Sequence, residues 1–270
     1  MNLTKLLYII TIKNSYETLI EEGITSVLFP LQGYSIGFDE PFLLEEIPKL
    51  ENHYLYLNRI INSHEFESLK QLLLPVLNDI YGFVVEDFGV YELLKEMNYQ
   101  GKIILYQSHF GTNVKTINTN LKSFDSQVIS TDITKKQILN ILDKADKDLV
   151  VFGFGRIPAM YSRRTLLKNY ASHFEYEKRT SLTMQESVTK KDFLVKENEY
   201  GTVIYNSTCF NGLSISHEKI AYYIVNPVDI DIQDQLQLIS EIKNKKEISI
   251  VHDEGFLNQE TIYRVKGGAK

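Results

Sequence analysis

Acidic, basic and imidazole side chains sit just beyond several short apolar runs of this chain, a placement suited to chemistry at strand ends. Glu86 and Asp87 follow FVV, and such adjacent carboxyls can exchange protons, bind a cation, or cap a helix. Gln107, Ser108, His109 and Asn113 follow IILY. Histidine ordinarily titrates near neutrality, so His109 is a candidate proton carrier; the alternative is a packed, hydrogen-bonded ring. Asp87 and Glu86 complete the catalytic candidates. Thr131 and Asp132 end the next run. The segment GFGRIPAMYSRRTLLKNY then carries Arg156, Tyr161, Arg163, Arg164 and Lys168, four cations within thirteen residues of an acidic chain. A guanidinium fork suits a small carboxylate or phosphate, and the competing role for these arginines is to fix loops by ion pairs. Asn206 and Ser207 would add neutral donors to the same opening. With Asn113 they complete the expected ligand-binding set.

Other chemistries lack their signatures. There is no G-x-S-x-G elbow, Walker loop or HExxH helix. His252, Asp253 and Glu254 have the composition of a metal site without a second histidine motif to support it. The single Cys209 rules out an internal disulfide framework and any cysteine-ligated cluster. No metal site and no cofactor are expected. A net charge of −6 gives no support for indiscriminate polyanion binding, although a local basic patch can still bind nucleic acid. With 270 residues, 43% hydrophobic and 24% charged, the chain can bury a substantial core. The apolar stretch LLYIITI is too short to span a membrane and predicts the first buried strand of a cytoplasmic protein. Seventeen Tyr and fourteen Phe, with no Trp, predict an aromatic core.

Elements that would position these residues follow from periodicity. Apolar runs at 6–12, 25–29, 53–57, 82–85, 103–106, 127–129 and 149–152 predict strands covered on both faces. Helical spacing predicts helices over 14–22, 65–79, 90–97, 112–121 and 135–143, the last capped by Thr134 or Asp132. Pro30, Gly33 and Gly37 predict a mobile cover over 29–39. Beyond Tyr170 the pattern turns polar and alternating, which predicts an inserted hairpin or small sheet over about 171–200. A strand at 202–205, a helix at 217–224, an eighth barrel strand at 227–232 and a helix at 233–243 complete the count. The fold class read from this order is α/β, a TIM-like (β/α)8 barrel over 1–246. Residues 247–270 form a tail or a hairpin turning near Gly255. Chemistry in such a barrel lies at the carboxyl ends of its strands, so Asn113, Arg156 and Asn206 are expected around one cationic mouth.

The chain resembles the collagenase-like peptidase family U32 over about residues 16–232. The resemblance rests on EEGITSVLFPLQGYSIGFD, FVVEDFGVYELLKE, LYQSHFGTNVKTIN and STDITKKQI, and most on FGRIPAMYSRRTLLKNY followed by YGTVIYNSTCFNGLSI. Family members commonly carry cysteine where Thr165 stands, and in some relatives such cysteines hold a [4Fe-4S] cluster; Thr165 offers no thiolate. The resemblance therefore implies a short, cluster-free member. Relatives take part in oxygen-independent hydroxylation for ubiquinone synthesis and of RNA bases. In low-GC Gram-positive bacteria a short and a long relative together form 5-hydroxyuridine at the tRNA wobble position. What the resemblance implies first is a non-proteolytic partner of a longer U32 paralog acting on tRNA. A U32 peptidase, a barrel enzyme for a small anion and a nonenzymatic scaffold are the alternatives.

Overall fold

Runs in which nearly every side chain is apolar become strands here because a sheet covered on both faces buries them all. The computed structural model describes residues 3–259. In chain order the elements begin with β1 (Leu6–Ile9), α1 (Tyr16–Glu21), β2 (Ser26–Pro30), β3 (His53–Leu57), α2 (Phe66–Leu73), β4 (Gly82–Val85) and α3 (Phe88–Glu96). They continue through β5 (Lys102–Leu105), α4 (Val114–Asn120), β6 (Ser126–Gln127), α5 (Lys135–Lys144), β7 (Leu149–Gly155) and β8 (Pro158–Ser162). Then come α6 (Leu166–Phe174), β9 (Ser181–Gln185), β10 (Asp192–Asn198), β11 (Gly201–Asn206), β12 (Cys209–Asn211), β13 (Ile220–Asn226), α7 (Ile232–Lys243) and β14 (His252–Asp253). Every residue of β1, β2, β3 and β4 is buried.

The main sheet has ten strands in the order β14-β12-β7-β13-β1-β2-β3-β4-β5-β6. It is an open half-barrel of mixed topology, which corrects the expected closed TIM-like (β/α)8 barrel. Closure would need a ladder between β6 and β7. Strand β6 is two residues long, and the chain beyond it meets β7 through one bridge, Val128 to Val150. The carboxyl end of β7 pairs instead with β12, antiparallel, Phe210 opposite Gly155. The β/α alternation is also broken, since only a 3-10 turn at Leu44–Glu46 lies between β2 and β3.

Two expected elements exchange character. Residues expected as a helix at 217–224 contribute to strand β13, which lies between β1 and β7 and is parallel to both. Its run IAYYIV is β-branched and aromatic, suited to a pleated, buried surface. The expected eighth strand at 227–232 is a turn: the Ile230 amide bonds the Pro227 carbonyl, Asp229 has φ +59°, and Asp231 caps α7. Thr134, rather than Asp132, caps α5.

A second sheet, antiparallel in the order β8-β11-β10-β9, lies over the loop that follows β2. Tyr205 of β11 donates to the Gly37 carbonyl at 3.3 Å, and Asn198 of β10 to that of Ser35 at 3.2 Å. Lys196 of β10, itself buried, reaches Asp39 at 2.7 Å and Asp229 at 3.4 Å. The expected mobile cover at 29–39 is therefore pinned, with Ser35 and Ile36 fully buried and Asn58 bonding both backbone groups of Ile36. Gly37 has φ +87°, and a Cβ there would lie 2.2 Å from the Tyr205 hydroxyl oxygen. Strand β14 pairs with β12. The return limb of a hairpin beyond Gly255 falls on residues 260–270, outside the described residues.

Candidate active site at the open end of the sheet

The carboxyl ends of β3, β4, β5 and the segment after β6 lie side by side, so residues distant in sequence meet there. Glu86 follows β4, its amide bonded to the Leu57 carbonyl and its own carbonyl accepting from Gln107 at 3.2 Å. Its half-buried carboxyl accepts no hydrogen bond among the described residues. Burial pushes this carboxyl up to about 7; His109 opposes the rise and Asp87 adds to it. Beneath it the buried rings of Tyr56 and Tyr106 stack, 6.2 Å apart and 8° from parallel. Both phenols are raised, mainly by burial, with the nearby Glu86 contributing.

His109 belongs to the loop after β5. Its Nδ1 lies 2.7 Å from Asp132 Oδ2, across from the neighbouring strand end. A carboxylate accepts only, so the Nδ1 proton faces Asp132 and Nε2 is left for other work. Buried Ser130 fixes that geometry, donating to the Ser108 carbonyl and accepting from the Asp132 amide. Asp87 serves the backbone instead. It accepts from the amides of Gly89 at 2.7 Å and Ile61 at 2.9 Å, capping α3 and tying down the loop after β3.

The expected ligand-binding residues divide. Asn206 and Ser207 line a cavity of about 640 Å³ with Thr131, Asp132 and Glu254. Arg156 adjoins it, but its guanidinium donates to the carbonyls of Ser207 and Val228 and approaches Asp229 at 3.7 Å, so it fastens two loops. The Asn113 side chain accepts from the Thr116 amide at 2.9 Å, as the exposed cap of α4. Tyr161 points a buried hydroxyl toward the Glu86 side of the opening, whereas Arg163 and Arg164 are exposed. Buried Cys209 has its thiol pushed up by desolvation, with Arg156 opposing, which suits packing and not nucleophilic attack.

Arg59, just beyond β3, is a functional candidate that the sequence alone did not single out. It is 4% exposed, paired with Glu65, with the rings of Tyr200 and Tyr34 at 4.5 and 5.7 Å. That pairing, with the Asn62 bonds, holds the Glu65 carboxyl down to about 2 against its own burial. The strand-end rule that selected Glu86 also selects Arg59, so the signal was present.

No group of three or more His, Cys, Asp or Glu side chains able to hold a metal occurs among the described residues. One cysteine cannot supply the thiolates of a [4Fe-4S] cluster, and Thr165 adds none; the residues do not fit that group. No helix of the described residues is long and apolar enough to cross a membrane.

The profile of peptidase family U32 matches residues 14–242. A search of curated proteins returns no match. Among solved structures the chain is similar to the U32 peptidase Mk0906, at 11% identity and a TM-score of 0.47, over 57% of this chain and 70% of that one. It is also similar to ydhD of Bacillus subtilis, described as a putative sporulation-specific glycosylase, at 9% identity and a TM-score of 0.28, over 88% and 86% of the two chains. Both likenesses are remote.

Proposed function

We infer that this chain, which belongs to peptidase family U32, hydrolyses amide bonds with Glu86 as its proton carrier. The observation that carries the reading is the Glu86 carboxyl, half-buried, free of hydrogen bonds from the described residues and raised to about 7. A carboxyl that titrates at neutral pH can both take and return a proton. Glu86 removes a proton from water as its oxygen bonds to the amide carbon. The C–N bond then breaks, and the same proton passes to the departing nitrogen. In this reading His109, whose Nδ1 lies 2.7 Å from Asp132 Oδ2, stabilises charge during that exchange.

The test is hydrolysis of a panel of short peptides, followed by mass spectrometry, with wild type and Glu86→Gln. The expected loss in the variant is about 10²- to 10⁴-fold. Unchanged turnover removes Glu86 from the chemistry, and a wild type that cleaves no peptide removes the hydrolase reading itself.

A second reading, a partner of a longer family member in wobble-uridine hydroxylation of tRNA, is favoured by a different surface. Arg163, Arg164 and Lys168 are exposed and form no ion pair among the described residues, and exposed Tyr170, Phe174 and Tyr176 lie nearby in a ring cluster. Such a surface suits phosphates and bases. Deleting the gene and measuring 5-hydroxyuridine in tRNA decides it: an undiminished level, with redundant routes also removed, eliminates this role.

A further inference from the structure

Among the described residues, Arg59 Nε and the Tyr161 hydroxyl are donors buried without an acceptor near Glu86, and Gln127 Nε2 is another at the end of β6. Native structures leave few such groups unpaired. The Arg59 and Tyr161 side chains lie within electrostatic reach of each other. Burial raises the Tyr161 phenol, the Ile60 amide beside it and the Arg59 guanidinium oppose the rise, and Glu86 adds to it. The Ile60 amide does not satisfy the hydroxyl, which lacks a bond of acceptable geometry. Arg59 is held in place through Nη2 by Glu65 and by contact with Tyr200 and Tyr34. Tyr200 is half-buried on the two-residue turn between β10 and β11, so the outer wall of this spot is a turn of the second sheet.

An N–H and an O–H that both lack acceptors call for a ligand with two acceptor oxygens. Charge narrows the choice. Glu65 already balances Arg59, and Glu86 and Arg163 both lie within electrostatic reach of Tyr161, so the surrounding charge is near balance and a monoanion meets less repulsion from Glu86 than a dianionic phosphate does. We propose that Arg59 and Tyr161 form a carboxylate-binding subsite beside Glu86, with Arg59 Nε and the Tyr161 hydroxyl each donating to the bound carboxylate. Combined with the hydrolase reading, on which this extension rests, the ligand is the free carboxylate of a short peptide, and cleavage occurs near a chain end.

The experiment titrates the full chain with N-acetylalanine and, separately, N-acetylalaninamide, followed by NMR chemical shifts. The acid binds at least about tenfold more tightly than the amide, because the amide puts an N–H where an acceptor is required. Tyr161→Phe weakens the acid about tenfold and leaves the urea midpoint unchanged or higher, since it deletes an unpaired hydroxyl. Arg59→Lys weakens the acid as well. Equal binding of acid and amide, or undiminished acid binding by Tyr161→Phe, overturns the subsite, and so does a water that alone fills the two donors in a crystal soaked with the acid. Selective acid binding without cleavage of any peptide keeps the subsite and discards the hydrolase reading. Equal cleavage of free and carboxyl-capped peptides, with no acid binding, does the reverse.

Discussion

Replacing Glu86 with Gln should make the protein more stable at alkaline pH and barely alter it under acid conditions. The unfolded carboxyl titrates at 4.5 and the folded one at about 7. Above the lower value the unfolded chain has released this proton while the folded chain still holds it, so stability falls as pH rises. The loss levels off once the folded carboxyl also ionises, near pH 7. At about 1.4 kcal/mol for each tenfold change in proton affinity, the whole interval corresponds to roughly 3 kcal/mol. Glutamine keeps the shape and cannot ionise, so the variant escapes this loss. Its advantage over wild type is expected to grow from about 1 kcal/mol near pH 5 to about 3 kcal/mol near pH 8. Urea unfolding of both proteins at several pH values across that window measures the difference directly. A difference that stays flat with pH would refute the claim that burial of this carboxyl sets its proton affinity. The same substitution removes the proposed proton carrier, so gained stability and lost turnover should appear together.

Three further substitutions probe the frame around the site. Lys196→Met leaves Asp39 and Asp229 without their shared cation; because both carboxylates are about half exposed, the expected cost in urea unfolding is only about 1–2 kcal/mol. Asp87→Ala deprives the Gly89 and Ile61 amides of their acceptor and should cost about 1–2 kcal/mol, read as a lower thermal midpoint. Gly155→Ala puts a Cβ 2.0 Å from the Asn226 carbonyl oxygen at a residue with φ +117°, and should destabilise by about 3 kcal/mol or more, seen as a lost urea baseline or poor refolding.

Strands β3 and β4 were legible because runs such as HYLYL and GFVV suit burial on both faces. The segment IAYYIV was not, since a short apolar run has no period that separates helix from strand. Its partners β1 and β7 decide the matter, and those pairings join residues far apart in the chain. Glu86 and His109 could be singled out as polar residues after apolar runs. That Asp87, the residue next to Glu86, spends both oxygens on backbone amides required the loop after β3 to be in place.

Composition and spacing by themselves determined where apolar runs end and which acids, bases and cations follow them, because those properties are local to a few residues. Only the tertiary structure decided which of those groups are spoken for. Arg156 is consumed by carbonyls from two loops, and Asn113 by its own helix. Arg59 and Tyr161 keep unpaired donors, and Glu86 keeps a carboxyl raised by burial. Desolvation and hydrogen-bond satisfaction depend on everything packed around a side chain, and most of that neighbourhood comes from elsewhere in the chain.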